Sequence, residues 1–210
     1  MLVATFNAAR ISDRAQSTYH FLNRFNPDQP IRSTPDQPHW DVSPAKSNHP
    51  VVGISWRGAA LVAYLLGGRL PYVAEWREFA PVQPGARYPW GDEEVSEKLA
   101  NVAQFVGDTT PVGQYQGHNG LFDLIGNAEE WCMDWYEAGA LMPPARVGPG
   151  RRYFEKAVVG GSWATPVWRT GISVYRGKWC RIGTRSIGCR VVWDDTETTT
   201  EVGRDPFGGL

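Results

Sequence analysis

A chain of 210 residues, 42% of them apolar, can bury one sizeable core and leaves little room for a second domain. Its net charge of −1 argues against nucleic acid or an anionic membrane as the general partner. No apolar run approaches the ~18 residues of a membrane helix, so no membrane insertion is expected. The N-terminal stretch carries Arg10, Asp13 and Arg14 without the apolar core of an export signal, which makes the cytoplasm the default location.

Residues 6–25 read as an extended segment followed by a helix, with Ser12 as N-cap and Tyr19, Leu22 and Phe25 on one face. Residues 26–50 hold six prolines and are expected to run irregularly over the surface. Ser55 then caps a helix from Trp56 to about Leu66, with Ala59, Val62, Ala63 and Leu66 inward and Gly67–Gly68 as its stop. Pro71 suits the first position of a second short helix. Beyond Pro81 the pattern is one of loops and short strands, including β-branched runs at "KAVVGGSW" and "IGCRVVW". No helical or strand period runs through 160–192. The stretch after Trp193 is polar and patternless, so a single domain over 1–193 with a polar tail, 194–210, is expected.

Twenty-three glycines, sixteen prolines and ten tryptophans fit a loop-rich domain whose gaps are filled by large rings. Cys132, Cys180 and Cys189 are odd in number and lack CxxC spacing, which argues against a disulfide framework or a thiolate zinc site. The four histidines are scattered, and there is no G-x-S-x-G elbow, P-loop or Rossmann glycine pattern. From Arg146 to Arg190, ten Lys/Arg accompany one acidic residue, Glu155. Two readings fit that bias: arginines bonded to loop carbonyls, or an anion-binding face.

Several strings belong together. "HPVVGISW", "GGRLPYVAEWREFA", "YPWGDE", "TTPVGQY", "GLFDLIGNAEEW" and "VVGGSW…IGCRVV" follow the order of blocks in the formylglycine-generating-enzyme (sulfatase-modifying factor) family, which the chain resembles over roughly residues 48–193. The resemblance implies an α+β, irregular C-type lectin-like fold with two main helices, short twisted antiparallel strands and abundant loop. It also implies structural Ca²⁺, held by the side chains of Asp123 and Glu130 and the carbonyls of Gly126 and Ala128. The alternative is a loop held by hydrogen bonds of Asn127 and Glu130 alone. A second family calcium site starts at Asn101 and Val102, but the loop carrying its later ligands is shortened here.

Enzymes of this family oxidise a substrate cysteine with copper held by two thiolates. The matching positions here are Thr165 and Thr170. A hydroxyl is too hard a ligand to replace thiolate on Cu(I), so no copper is expected and the reading leans away from catalysis.

The family frame is matched by Gly160, Gly161, Ser162, Trp163, Gly188 and Arg190. Between them lie the candidate ligand-binding residues Thr165, Val167, Trp168, Thr170, Tyr175, Lys178, Trp179, Arg181 and Thr184. Their placement, over about 164–186, resembles that of the variable proteins of diversity-generating retroelements. The implied partner is a protein or other macromolecular ligand on a C-terminal face, because Trp, Tyr and Arg dominate interface energetics. An oxidoreductase or enzyme subunit of the same family, using a metal or partner not visible in this chain, is the alternative. For Trp168 and Trp179, plugging the core stays open beside display; for Trp163, core packing is expected.

Overall fold

A computed structural model of the protein describes residues 31–34, 37–79, 84–137, 139–142 and 154–194, with the backbone alone at 31–42 and at 142. The helix expected after Ser12 and the tail beyond Asp194 lie outside these residues. The proline-rich stretch departs from the irregular path expected of it. Ile31–Thr34 (β1) and Gln37–Val42 (β2) pair antiparallel, Ile31 opposite Val42, with the register slipping at Ser33/Thr34. Pro38 falls inside that slip, between paired Gln37 and Trp40, where it has no residue opposite and a missing N–H breaks no ladder bond.

Two helices follow. α1 (Trp56–Leu65) opens on Ser55, whose Oγ accepts the Gly58 N–H at 3.1 Å, and closes at Leu66 with Gly67 at φ +74°. That left-handed turn suits glycine, which carries no Cβ to clash. Ala59, Val62 and Ala63 are all buried, as their helical spacing predicts. α2 (Val73–Glu78) begins later than Pro71 suggests: Tyr72 is its cap, and its N–H is held by Glu75 Oε2 at 2.7 Å. Pro71 instead offers its carbonyl to the Met133 N–H at 2.9 Å, tying the helix entrance to the sheet.

The five-stranded central sheet comprises β3 (Glu129–Glu137), β4 (Ala140–Met142), β5 (Glu155–Val159), β6 (Tyr175–Trp179) and β7 (Ile187–Gly188). The order β4-β3-β5-β6 is antiparallel throughout, and β7 joins the start of β3 in parallel. β6 corrects the reading that no strand period crosses 160–192. Its alternation is real but unusual, because the side shared with buried Val158 and Lys156 carries Arg176 and Lys178 rather than apolar residues.

The sheet separates two apolar clusters. One gathers α1 with Ile54, Trp131, Val158 and Ile187; the other gathers Val73 and Trp76 of α2 with Tyr88, Leu124, Ala157 and Val159. Their largest rings tie off their own polar atoms, as burial demands: Trp131 Nε1 donates to the Ile54 carbonyl at 2.9 Å and Trp76 Nε1 to Glu130 Oε2 at 2.8 Å. Lys156 is also interior. Its ammonium sits 4.1 Å from the Trp56 ring centre and 3.7 Å from that of Trp135, and donates to the Met133 carbonyl at 2.8 Å. The result is the α+β, C-type lectin-like arrangement that the resemblance implies. Among the described residues no helix is long and apolar enough to cross a membrane.

Candidate functional site

The sequence-derived residues divide into an interior set and a displayed set. Thr165 and Thr170, expected on the binding face, are 3% and 0% exposed. Both methyl-bearing side chains lie against Gly161, whose φ of +75° turns the backbone over them. Thr165 Oγ1 accepts the Ser162 N–H at 3.0 Å and reaches Glu129 Oε1 at 3.4 Å; Thr170 Oγ1 donates to the Val167 carbonyl at 2.7 Å. Glu129 is itself 1% exposed, paired with Arg176 and 3.9 Å from Lys178 Nζ. Thr165 therefore sits in a sealed hydroxyl–carboxylate–guanidinium network with Glu129 and Arg176, while Thr170 is satisfied within its own turn.

The thiols do not supply the missing sulfur. Cys132 and Cys180 are buried and Cys189 half-buried, and burial raises all three thiol pKa values, that of Cys189 to about 12. The two positions matched to the family's thiolates, Thr165 and Thr170, offer hydroxyls, which are too hard as donors for Cu(I), so this donor set does not fit copper.

The displayed set sits on β6 and the turn before it. Trp168 is 71% and Trp179 is 61% exposed. Trp168 rides on a 3-10 turn, Val167–Arg169, with the Arg169 guanidinium 5.1 Å from its ring centre. Arg87 clamps that turn by donating to the carbonyls of Thr170 at 3.2 Å and Val167 at 3.1 Å. Tyr175 meets Tyr136 edge-on at 6.2 Å and lies under Arg77. Lys178 is half-buried, and its ammonium pKa is pushed down first by burial, then by the charges of Arg176 and Arg169.

Other candidates fall elsewhere. Val167 packs on the second apolar cluster, and Thr184 is half-buried, its hydroxyl 3.2 Å from that of Ser186 and its carbonyl accepting the Gly53 N–H at 2.8 Å. Arg181 is exposed on the turn after β6. Three residues of this face escaped the sequence reading. Phe154, 49% exposed, stacks on Trp179 at 6.3 Å; Ile182 is 53% exposed; and Arg169 covers Trp168. The usable signal for Phe154 was its place just before "EKAVV", the strand that pairs with β6.

A separate cleft of about 530 Å³ lies between α1 and the 112–122 loop, with Val62, Leu66, Val112 and Phe122 on its walls. Of the residues expected to hold calcium, Asp123, Ala128 and Glu130 line it. Asp123 keeps Oδ1 buried without a hydrogen-bond partner, while Oδ2 accepts the Gly113 N–H at 2.8 Å; burial raises its carboxyl pKa. Glu130 is committed differently: Arg190 donates to its two oxygens at 2.8 and 3.0 Å, and Trp76 adds a third bond. Gly126 is buried at φ +86°, where a Cβ would meet the Asn101 carbonyl oxygen at 2.5 Å. Asp123 thus fits a cation, whereas Glu130 could join a shell of the six to eight oxygens Ca²⁺ takes only by releasing Arg190. Among the described residues no three His, Cys, Asp or Glu side chains cluster.

Comparison with known proteins places this geometry. The model for the sulfatase-modifying factor enzyme 1-like domain matches residues 19–195. A serine/threonine-protein kinase Pkn1 of Chlamydia trachomatis is 43% identical over 129 residues, 58% of this chain and 20% of that protein. A formylglycine-generating enzyme of Thermomonospora curvata is 34% identical over 144 residues, 59% of this chain and 44% of the enzyme. The chain therefore spans less than half the length of either relative. Of solved structures, PvdO from Pseudomonas aeruginosa aligns with TM-score 0.56 and 20% identity, over 90% of this chain and 76% of that one. Treponema denticola variable protein 1 aligns with TM-score 0.46 and 26% identity, over 59% and 46% of the two chains. Because the matched span contains both described helices and every described strand, this chain belongs to the sulfatase-modifying factor enzyme 1-like domain family.

Proposed function

We propose that this chain is a binding module of its family, which holds a macromolecular ligand along the exposed edge formed by β6 and the turn before it, with Trp168, Arg169, Tyr175, Lys178 and Trp179 as its contacts. One observation carries the reading: two tryptophans stand 71% and 61% exposed, Trp168 on a turn that Arg87 clamps and Trp179 at the end of strand β6. Large exposed rings on a rigid support supply contact area at low entropic cost. Neither the kinase activity in one relative's name nor the enzyme activity in the other's is needed for this reading.

The double variant Trp168→Ala, Trp179→Ala tests it. Its melting temperature is expected within about 2 °C of the parent, since surface truncations rarely exceed ~0.5 kcal/mol. Binders selected from a displayed peptide library against the parent are expected to be lost on the variant. A fall of about 10 °C or more would mean that the rings support the core. Stoichiometric copper with oxygen consumption on a cysteine peptide would replace the binding reading with the enzyme reading.

The finer reading, that about 164–186 is a diversified segment, is supported by its position between the glycine turn at Gly160–Gly161 and β7. It predicts that the same gene in sibling isolates differs mainly within that stretch. Uniform sequence there would remove the reading.

A further inference from the structure

β6 closes the central sheet on one side, and among the described residues it pairs only with β5. The direction of its free groups follows from the register. The Cys180 N–H donates to the Phe154 carbonyl at 2.9 Å, and Glu155 stands opposite Trp179, Ala157 opposite Gly177 and Val159 opposite Tyr175. In an antiparallel ladder hydrogen-bonded pairs alternate, so Lys178 and Arg176 bond inward to β5. The N–H and C=O groups of Tyr175, Gly177 and Trp179 therefore point away from it. Trp179 gives its carbonyl weakly to the Ile182 N–H at 3.3 Å; those of Tyr175 and Gly177 have no partner among the described residues.

The two faces of this edge differ in chemistry. On one side stand Tyr175 and Trp179, with Tyr136 crossing the hollow left by Gly177 and Phe154 stacked on Trp179. Glu155 also borders that hollow. On the other side Arg176 and Lys178 project. Arg176 and, at 3.9 Å, Lys178 share the single buried carboxylate of Glu129, so these two cations together with nearby Arg169 leave this side net positive.

We propose that the open edge of β6 is a strand-addition site for an extended acidic polypeptide segment. Carboxylates on alternate residues would face Lys178 and Arg169, and the apolar residues between them would lie against Trp179 and Tyr175. A strand's two-residue period places one chemistry on each face, matching the basic and aromatic sides of the edge. The proposal rests on the binding-face reading and specifies its partner. The blander role of an edge lysine, to repel other strands, is an outcome of the test.

The probe is a fluorescein-labelled octapeptide of alternating glutamate and valine, followed by anisotropy at about 50 mM salt. Two further peptides carry backbone N-methyl groups, one on every valine and one on every glutamate. Each blocks one edge of the added strand, so one isomer is expected to bind within about threefold of the parent and the other at least about tenfold more weakly. Lys178→Gln is expected to weaken binding about fivefold, and Trp179→Ala at least about tenfold.

Absence of binding, equal affinity of both methylated isomers, or equal binding by a lysine–valine octapeptide would overturn the proposal. So would an equally tight heparin oligosaccharide, which would reduce the face to simple charge attraction. If the octapeptide fails while the tryptophan double variant keeps its melting temperature and loses library binders, strand addition falls and the binding face stands.

Discussion

Glu129→Ala is expected to lower stability by about 2–4 kcal/mol, the largest loss from any single change in the sealed pocket. Glu129 is 1% exposed, and its carboxylate is addressed by Arg176, by Lys178 at 3.9 Å and by the Thr165 hydroxyl at 3.4 Å. Removing it leaves the Arg176 guanidinium, whose side chain is 21% exposed, without a counter-charge. That residual exposure lets some water in and shifts the loss about 1 kcal/mol below the ~3–5 kcal/mol of a fully buried broken pair. In a chain of this length the change corresponds to roughly 5–15 °C in melting temperature. The paired variant Glu129→Leu with Arg176→Met is expected to regain more than half of the loss, because neither charge is then stranded. Thermal and urea unfolding of the three proteins decide it. A single variant within about 0.5 kcal/mol of the parent, or a pair no better than the single, would refute the network.

Stability is also expected to rise with pH above neutrality, through Lys156. Burial pushes its ammonium pKa from the usual 10.5 to about 7, although two tryptophan faces and the Met133 carbonyl favour the charge. The folded pKa lies below the unfolded one, so between them the unfolded chain binds more protons and stability increases with pH. From about pH 7 to about pH 8.5 the gain is roughly 1.5 kcal/mol. Above that the buried thiols act in the opposite sense. Their folded pKa values are raised, so the unfolded chain ionises first and stability falls. The expected profile is a maximum near about pH 8.5–9, and Lys156→Met, similar in volume, should lose the rising limb while keeping the fall. Asp134 lies near Lys156, and burial raises its carboxyl pKa, so its titration acts in the opposite sense to that of Lys156. Denaturant midpoints at about pH 7 and 8.5 measure the effect; equal slopes in parent and variant would refute it.

Some of this architecture was legible residue by residue. α1 was readable from Ser55 to Gly67 because a cap and a stop act within four residues of the backbone they satisfy. The family blocks likewise marked the glycine turns and core tryptophans in order. α2 was placed too early because Pro71 suits a first helical turn, whereas Glu75 reaching back to the Tyr72 N–H sets the actual start.

What stayed hidden depends on partners arriving from elsewhere in the chain. Thr165 and Trp168 are neighbours of ordinary polarity, yet one is sealed at 3% exposure and the other stands at 71%. Glu129 from β3 and Arg87 from a distant loop make that difference. β6 was invisible for the same reason. Its core-side residues are Arg176 and Lys178, and only the buried carboxylate of Glu129 makes an inward-facing guanidinium tolerable. Capping energies are local and can be read from spacing; burial and ion pairing are properties of the packed chain, so the displayed face emerged only once the strands had found their neighbours.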